Sequence, residues 1–149
     1  MILWRISNHV SLSGDGGLRT SGRWHTRGRR ITYCALTPAA ALLEILVHLE
    51  IELQDLPTRY RLLKIAAPDD IAVERLATDR LSLDWPQRND ITRAIGDDWL
   101  DRGPTALLVV PSAIVPETFN VLLNPMHQDA TRMEIMTAGE HVIDPRLLR

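Results

Sequence analysis

The sequence predicts an α+β fold, a mostly antiparallel sheet with flanking helices, and two kinds of observation lead there. Short apolar runs of strand length recur along the chain, at Ile2 to Ile6, Ile31 to Leu36, Tyr60 to Ala66 and within TALLVVPSAIV, whereas only two segments carry a helical period, Thr37 to Leu53 and Gln87 to Leu100. With 149 residues, 45% of them hydrophobic and 24% charged, the chain suits one compact domain spanning residues 1 to 149. Nothing in it has the composition of a disordered or fibrous protein.

Each element follows from its local chemistry. After the opening strand, SLSGDGGLRTSG reads as a long loop, a length that is uncommon unless the loop binds something. Ile31 to Leu36 forms a second strand, and Thr37-Pro38 supplies an N-cap followed by proline at the first helical position. The helix so launched runs to about Leu53, before Pro57, with Leu42, Ile45, Leu46 and Leu49 as its apolar stripe. Tyr60 to Ala66 is a strand, and Ile71 to Leu76 is ambiguous between strand and helix. The spacing of Ile91, Ala94, Ile95 and Trp99 predicts an amphipathic helix ending near Gly103, followed by a buried strand that runs into a Pro-Ser turn. Val121 to Leu123, Glu134 to Met136 and Val142-Ile143 are short strand candidates.

Charge and cysteine content narrow the functions. A formal net charge of -2 lacks the basic excess of a protein held by many phosphate contacts, so no direct nucleic-acid binding is expected, although a local patch can hold a small anion. The single cysteine, Cys34, excludes an internal disulfide and suits a reducing, cytoplasmic setting. No secretory leader and no membrane span are expected, because Arg5 interrupts the N-terminal run and Glu44, His48, Glu50 and Glu52 interrupt the longest apolar one. The five histidines show no metal-ligand spacing, and Cys34 has no evident histidine partner, so no metal and no cysteine nucleophile is expected. GDGGLRT lacks dinucleotide-fold glycine spacing, and no βαβ unit follows it.

Against that acidic background, SGRWHTRGRR holds four arginines and a histidine within ten residues. Arg27, Arg29 and Arg30 flank a turn at Gly28 and read as ordinary surface side chains. Arg23 stands between Gly22 and Trp24, where a planar guanidinium could clasp a diphosphate. Arg5, between Trp4 and Ile6, needs an anionic partner such as Glu44 or a bound phosphate. Periodicity alone makes Glu44 a solvated edge residue paired with His48 one turn away; the competing reading is a carboxylate projecting into a cleft. Tyr33 is either a core aromatic or a stacking platform, and Ser112 either makes its turn or offers a hydroxyl at the strand end.

In order, LWRIS, LSGDGG, SGRWHTRGRRITYCALTPAAALLEILVHL, IGDDWL, LLVVPSAIVPETFNVLLNPMH and IDPRLLR resemble the RES domain, a family named for an arginine, a glutamate and a serine that supplies toxins of bacterial RES-Xre toxin-antitoxin pairs. The resemblance spans nearly the whole chain and departs from the family's pattern at His25, where asparagine is frequent; Arg59 to Arg88 matches less distinctly. It implies a fold like that of ADP-ribosyltransferase toxins, with NAD+ as substrate rather than cofactor and its nicotinamide N-glycosidic bond broken. Arg5, Glu44 and Ser112 match the name-giving residues, Arg23 the arginine of GRW, and Tyr33 the tyrosine before the helix.

The roles implied are a carboxylate at Glu44 that stabilises oxocarbenium-like charge, Arg5 and Arg23 on the diphosphate, Tyr33 stacked near the nicotinamide, and Ser112 bonded to the ribose or amide. The remaining arginines would steer the dinucleotide toward the site. The acceptor stays open among water, phosphate and a protein target, and a binding module without turnover is a third class. A cognate Xre-type antitoxin is implied as the partner in a hetero-oligomer. Met126, Met133 and Met136 could pack against it, although core filling is the commoner use of methionine.

Overall fold

A computed structural model describes residues 1–48 and 57–148. Seven strands form one sheet: β1 (Ile2–Ile6), β2 (Thr32–Ala35), β3 (Arg59–Ala66), β4 (Val73–Arg75), β5 (Leu107–Pro111), β6 (Phe119–Leu123) and β7 (Glu134–Val142). Their order across the sheet is β4-β5-β6-β2-β1-β3-β7, and every pairing is antiparallel except that of β4 with β5. Among the described residues three α-helices accompany it, α1 (Gly16–Arg19), α2 (Pro38–His48) and α3 (Asn89–Arg102). The expected α+β class with a mostly antiparallel sheet is the one observed. No helix of the described residues is long and apolar enough to cross a membrane.

The core follows the period of two that a pleated strand imposes. Leu107 and Val109 of β5 join Leu3, Cys34, Leu63, Ile65 and Val121 in one cluster, while Leu108 and Val110 join Trp24, Ile31, Trp99 and Leu122 in a second. Both faces of β5 are therefore covered, which is why its sequence is an unbroken apolar run. Each fully buried Leu, Ile or Val among them contributes about 1.5–3 kcal/mol of transfer free energy.

Several elements depart from expectation for identifiable reasons. The glycine-rich loop contains α1, and the segment Ile71 to Leu76 resolves into the edge strand β4. Glu134 to Met136 and Val142 are parts of one nine-residue strand, β7, whose alternation is obscured because it is exposed along most of its length, while Ile143, expected in a strand with Val142, lies just past its end and is buried. In α3 the buried residues are Thr92, Gly96 and Trp99, and Ala94 faces solvent. At positions 92 and 96 the side chains are small because the helix there presses against the backbone of Arg23 and Trp24, a demand that apolar periodicity does not register. Gly103 ends α3 in the left-handed conformation, φ 59°, its N–H bonded to the Trp99 carbonyl.

The start of α2 is built as its sequence predicts: Thr37 Oγ1 accepts the Ala40 N–H at 3.1 Å and the Thr37 carbonyl accepts the Ala41 N–H. The expected extension to Leu53, and Leu49 of the apolar stripe, lie outside the described residues. Thr37→Ala should lower unfolding stability by about 1 kcal/mol. Chemical denaturation would read that loss directly, and an unchanged midpoint would mean that the cap contributes nothing.

Candidate active site

Strands β1 and β2 share a single register pair, Trp4 with Ala35, and beyond it the Arg5 guanidinium takes the place of a ladder partner, Nη1 donating to the Tyr33 carbonyl at 2.9 Å. A cleft of about 330 Å³ opens beside this junction, bounded by β1, β2, the segment from Gly16 to His25, the inner face of α2, and Pro111, Ala113 and Asn120. That volume lies in the range of small-molecule sites.

Glu44 lines the cleft from α2, one turn beyond the buried Ala41. Its Oε1 accepts two hydrogen bonds, from Asn120 Nδ2 at 2.7 Å and from Ser112 Oγ at 3.2 Å. The pairing with His48 expected from the i,i+4 spacing does not form. The exposed His48 ring lies 2.7 Å from the Glu44 backbone carbonyl instead, so periodicity placed both residues on one face without revealing what the carboxylate touches. Nor does Arg5 form an ion pair within 4 Å with any described acid. Its Nε is buried and has no partner among the described residues, and the same holds for Asn120 Oδ1. Unsatisfied buried groups cost free energy, and such costs persist mainly where a site has a use for them.

The rim opposite is held by a second network. The Tyr33 hydroxyl accepts the Trp24 N–H at 3.1 Å and lies 2.7 Å from His25 Nδ1, which also faces the Gly22 N–H at 3.2 Å. Two donors converging on Nδ1 require it to be an acceptor, so the ring proton sits on Nε2, pointing at the Gly17 carbonyl 3.3 Å away. Gly22 is obligatory here, because a Cβ would stand 2.4 Å from the Tyr33 hydroxyl oxygen. Burial pushes the Tyr33 hydroxyl pKa up, which keeps the group a donor.

His25, 2% exposed, has its pKa lowered from the ordinary 6.5, chiefly by desolvation. A lowered folded value means that the unfolded chain binds more protons as pH falls, so this contribution to stability is complete above 6.5 and is lost as pH drops through the folded value. Thermal midpoints measured from pH 7.5 to 5 should therefore fall. His25→Gln should flatten part of that slope, and an identical slope in the variant would remove His25 from the explanation.

Arg23 lines the cleft, with Nη1 donating to the Pro86 carbonyl at 2.8 Å and to Asn89 Oδ1 at 3.3 Å and its guanidinium 6.0 Å from the Trp85 ring centroid. Two more arginines of the cluster, Arg29 and Arg30, and the neighbouring Thr26 tie it to α3 and the glycine loop. Arg29 makes a two-pronged contact with Asp101 at 3.1 Å, Arg30 pairs with Asp15, and Thr26 bonds Asp97 through both its N–H and its hydroxyl. Surface ion pairs are thus the main employment of Arg29 and Arg30, in keeping with their reading as ordinary side chains rather than as steering groups. Cys34 is fully buried, and burial pushes its thiol up to about 11, which leaves little thiolate near neutrality. Among the described residues, no group of three or more His, Cys, Asp or Glu is arranged to hold a metal.

Arg5, Glu44, Tyr33 and Arg23 thus meet in one cleft, and Ser112 reaches it only through Glu44, lying behind the carboxylate in a smaller hollow with Thr37, Leu43 and Val115. Sequence reasoning missed Asn120, which faces Glu44 because β6 pairs it with Ala35 of β2. It also missed Arg93 and Thr92, whose Nε and Oγ1 donate to the carbonyls of Gly22 at 2.8 Å and Arg23 at 2.5 Å and so hold the rim. Neither carries a local signal, since both depend on strand register or helix docking.

The sequence model of the RES domain matches residues 2–144. The chain belongs to the RES domain family. This RES domain is 49% identical over 135 residues to Toxin Res of Pseudomonas putida, covering 91% of the chain and 92% of that protein. It is 35% identical over 156 residues to the Prs ADP-ribosylating toxin of a Sphingobium species, covering 98% and 96%. Its fold matches a chain in the crystal structure of the M. tuberculosis MbcT-MbcA toxin-antitoxin complex, with a TM-score of 0.75 over 99% of this chain and 86% of that one at 19% identity. The cleft of this RES domain accordingly carries the arginine and glutamate that its resemblance to the family singles out, and the serine stands directly behind the glutamate.

Proposed function

We propose that residues 1 to 149 are one RES domain, the toxin of a toxin-antitoxin pair, that depletes NAD+ in the cytoplasm by cleaving its nicotinamide N-glycosidic bond. The observation that carries this reading is the Glu44 carboxylate, held from one side by Asn120 and Ser112 in a cleft that it shares with Arg5 and Tyr33. In the reaction the C1′–N bond breaks, the pyridinium nitrogen takes the bonding pair and leaves as neutral nicotinamide, and positive charge develops on the ribose. A fixed carboxylate stabilises that charge more in the transition state than in the ground state. An oxygen of water or inorganic phosphate then bonds C1′ and gives up its proton. Arg5 and the unengaged edge of Arg23 would hold the diphosphate, and Tyr33 would border the nicotinamide end.

One observation favours a second reading, transfer of ADP-ribose to a protein: the relative in Sphingobium bears the name of an ADP-ribosylating toxin. An Xre-type antitoxin as partner rests on the resemblance and on the toxin-antitoxin complex among the fold's neighbours. Incubation of the purified protein with NAD+, with and without phosphate, should release nicotinamide, and the other product should show ADP-ribose or its 1″-phosphate. Absence of nicotinamide in every arm, those with candidate protein acceptors included, would sink both catalytic readings. An ADP-ribose mass added to a protein acceptor in place of free product would favour the second.

A further inference from the structure

Ser112 has a hydroxyl whose capacity is already spent. It accepts the Ile114 N–H at 3.1 Å and the Val115 N–H at 3.3 Å, and its one proton goes to Glu44 Oε1. The residue is 8% exposed and borders the smaller hollow behind α2 rather than the main cleft. Asn120 Nδ2 donates to the same Oε1, and its amide orientation is settled by the carboxylate, which can only accept. Both donors converge on one oxygen, so Oε2 is the oxygen left to work.

We propose that Ser112 and Asn120 are positioning residues, a two-donor clamp that holds one oxygen of Glu44 and presents the other to the substrate, and that Ser112 makes no contact with the substrate. This rests on the reading of the cleft as an NAD+ site. A group that acts only through Glu44 affects the transition state and leaves ground-state binding alone. Ser112→Ala and Asn120→Leu should each lower kcat roughly 10- to 100-fold, the loss expected for a hydrogen bond to a charged group, with KM within about twofold of wild type. Ser112→Thr should restore most of the Ser112→Ala loss.

The discriminating measurement is calorimetric binding of NAD+ in a Glu44→Gln background, where turnover is suppressed. Equal affinity with and without Ser112→Ala supports the clamp; roughly tenfold weaker binding by the double variant makes the serine a substrate contact and overturns it. Asn120→Leu keeps size, carries no donor and leaves the Ser112 turn untouched, so an Asn120→Leu protein that folds with wild-type kcat overturns the proposal even if Ser112→Ala fails to fold. Should the wild-type protein neither bind nor cleave NAD+, the functional reading fails first. The clamp is then read from the Asn120 side-chain amide resonances, which should move in Glu44→Ala and would refute it by staying in place.

Discussion

Glu44→Ala should abolish nicotinamide release, lowering the rate at least 100- to 1,000-fold, the loss seen when one preorganised electrostatic partner of a transition state is removed. The fold should survive. Glu44 is half-buried on the cleft face of α2, its bonds are to the Ser112 hydroxyl and the Asn120 amide, and the open cleft lets water replace the carboxylate beside both. Circular dichroism and the thermal midpoint should stay near wild type while expression of the variant no longer slows growth of the host cell. Glu44→Gln separates charge from shape: it keeps an acceptor for both donors and removes the negative charge, so it should be nearly as inactive. A folded Glu44→Ala protein that is fully toxic would overturn the assigned role.

The largest effect on stability is expected from a residue that touches no substrate. A Cβ at position 96 would stand 1.6 Å from the Trp24 carbonyl oxygen and 2.7 Å from its carbon, backbone atoms that cannot swing aside. Gly96→Ala must either push α3 off the sheet or displace Trp24, and overpacking of this kind costs about 3 kcal/mol or more. The gain in helix propensity, about 1 kcal/mol, does not offset it. Because α3 also holds the cleft rim through Thr92, Arg93 and Asp97, the variant should lose substrate affinity together with stability. Denaturant unfolding and NAD+ binding measured on the same preparation would check both. A variant as stable as wild type would show that the helix can retreat without cost.

Much of this architecture is legible in the linear chain because the physics that produces it is local. The Thr37 cap, the left-handed Gly103 and the apolar run of β5 each express a rule that acts within a few residues, and each is found as read. What remained ambiguous was exposed or short: β4 at the edge, and β7, whose side chains mostly face solvent and so carry little alternation. The same divide runs through the candidate site. Arg5, Arg23, Tyr33, Glu44 and Ser112 stand in recognisable motifs, whereas Asn120 becomes a partner of Glu44 only through the register of β6 against β2.

The sequence by itself determined the α+β class, the family, the start of α2 and which side chains could bear charge in a cleft. Tertiary structure alone decided that Ser112 stands behind the carboxylate, that Asn120 stands beside it, and that Arg29 and Arg30 are held by acids. The reason is distance along the chain. Ser112 and Asn120 lie 68 and 76 residues from Glu44, and only strand register and helix docking turn such separations into hydrogen bonds of about 3 Å.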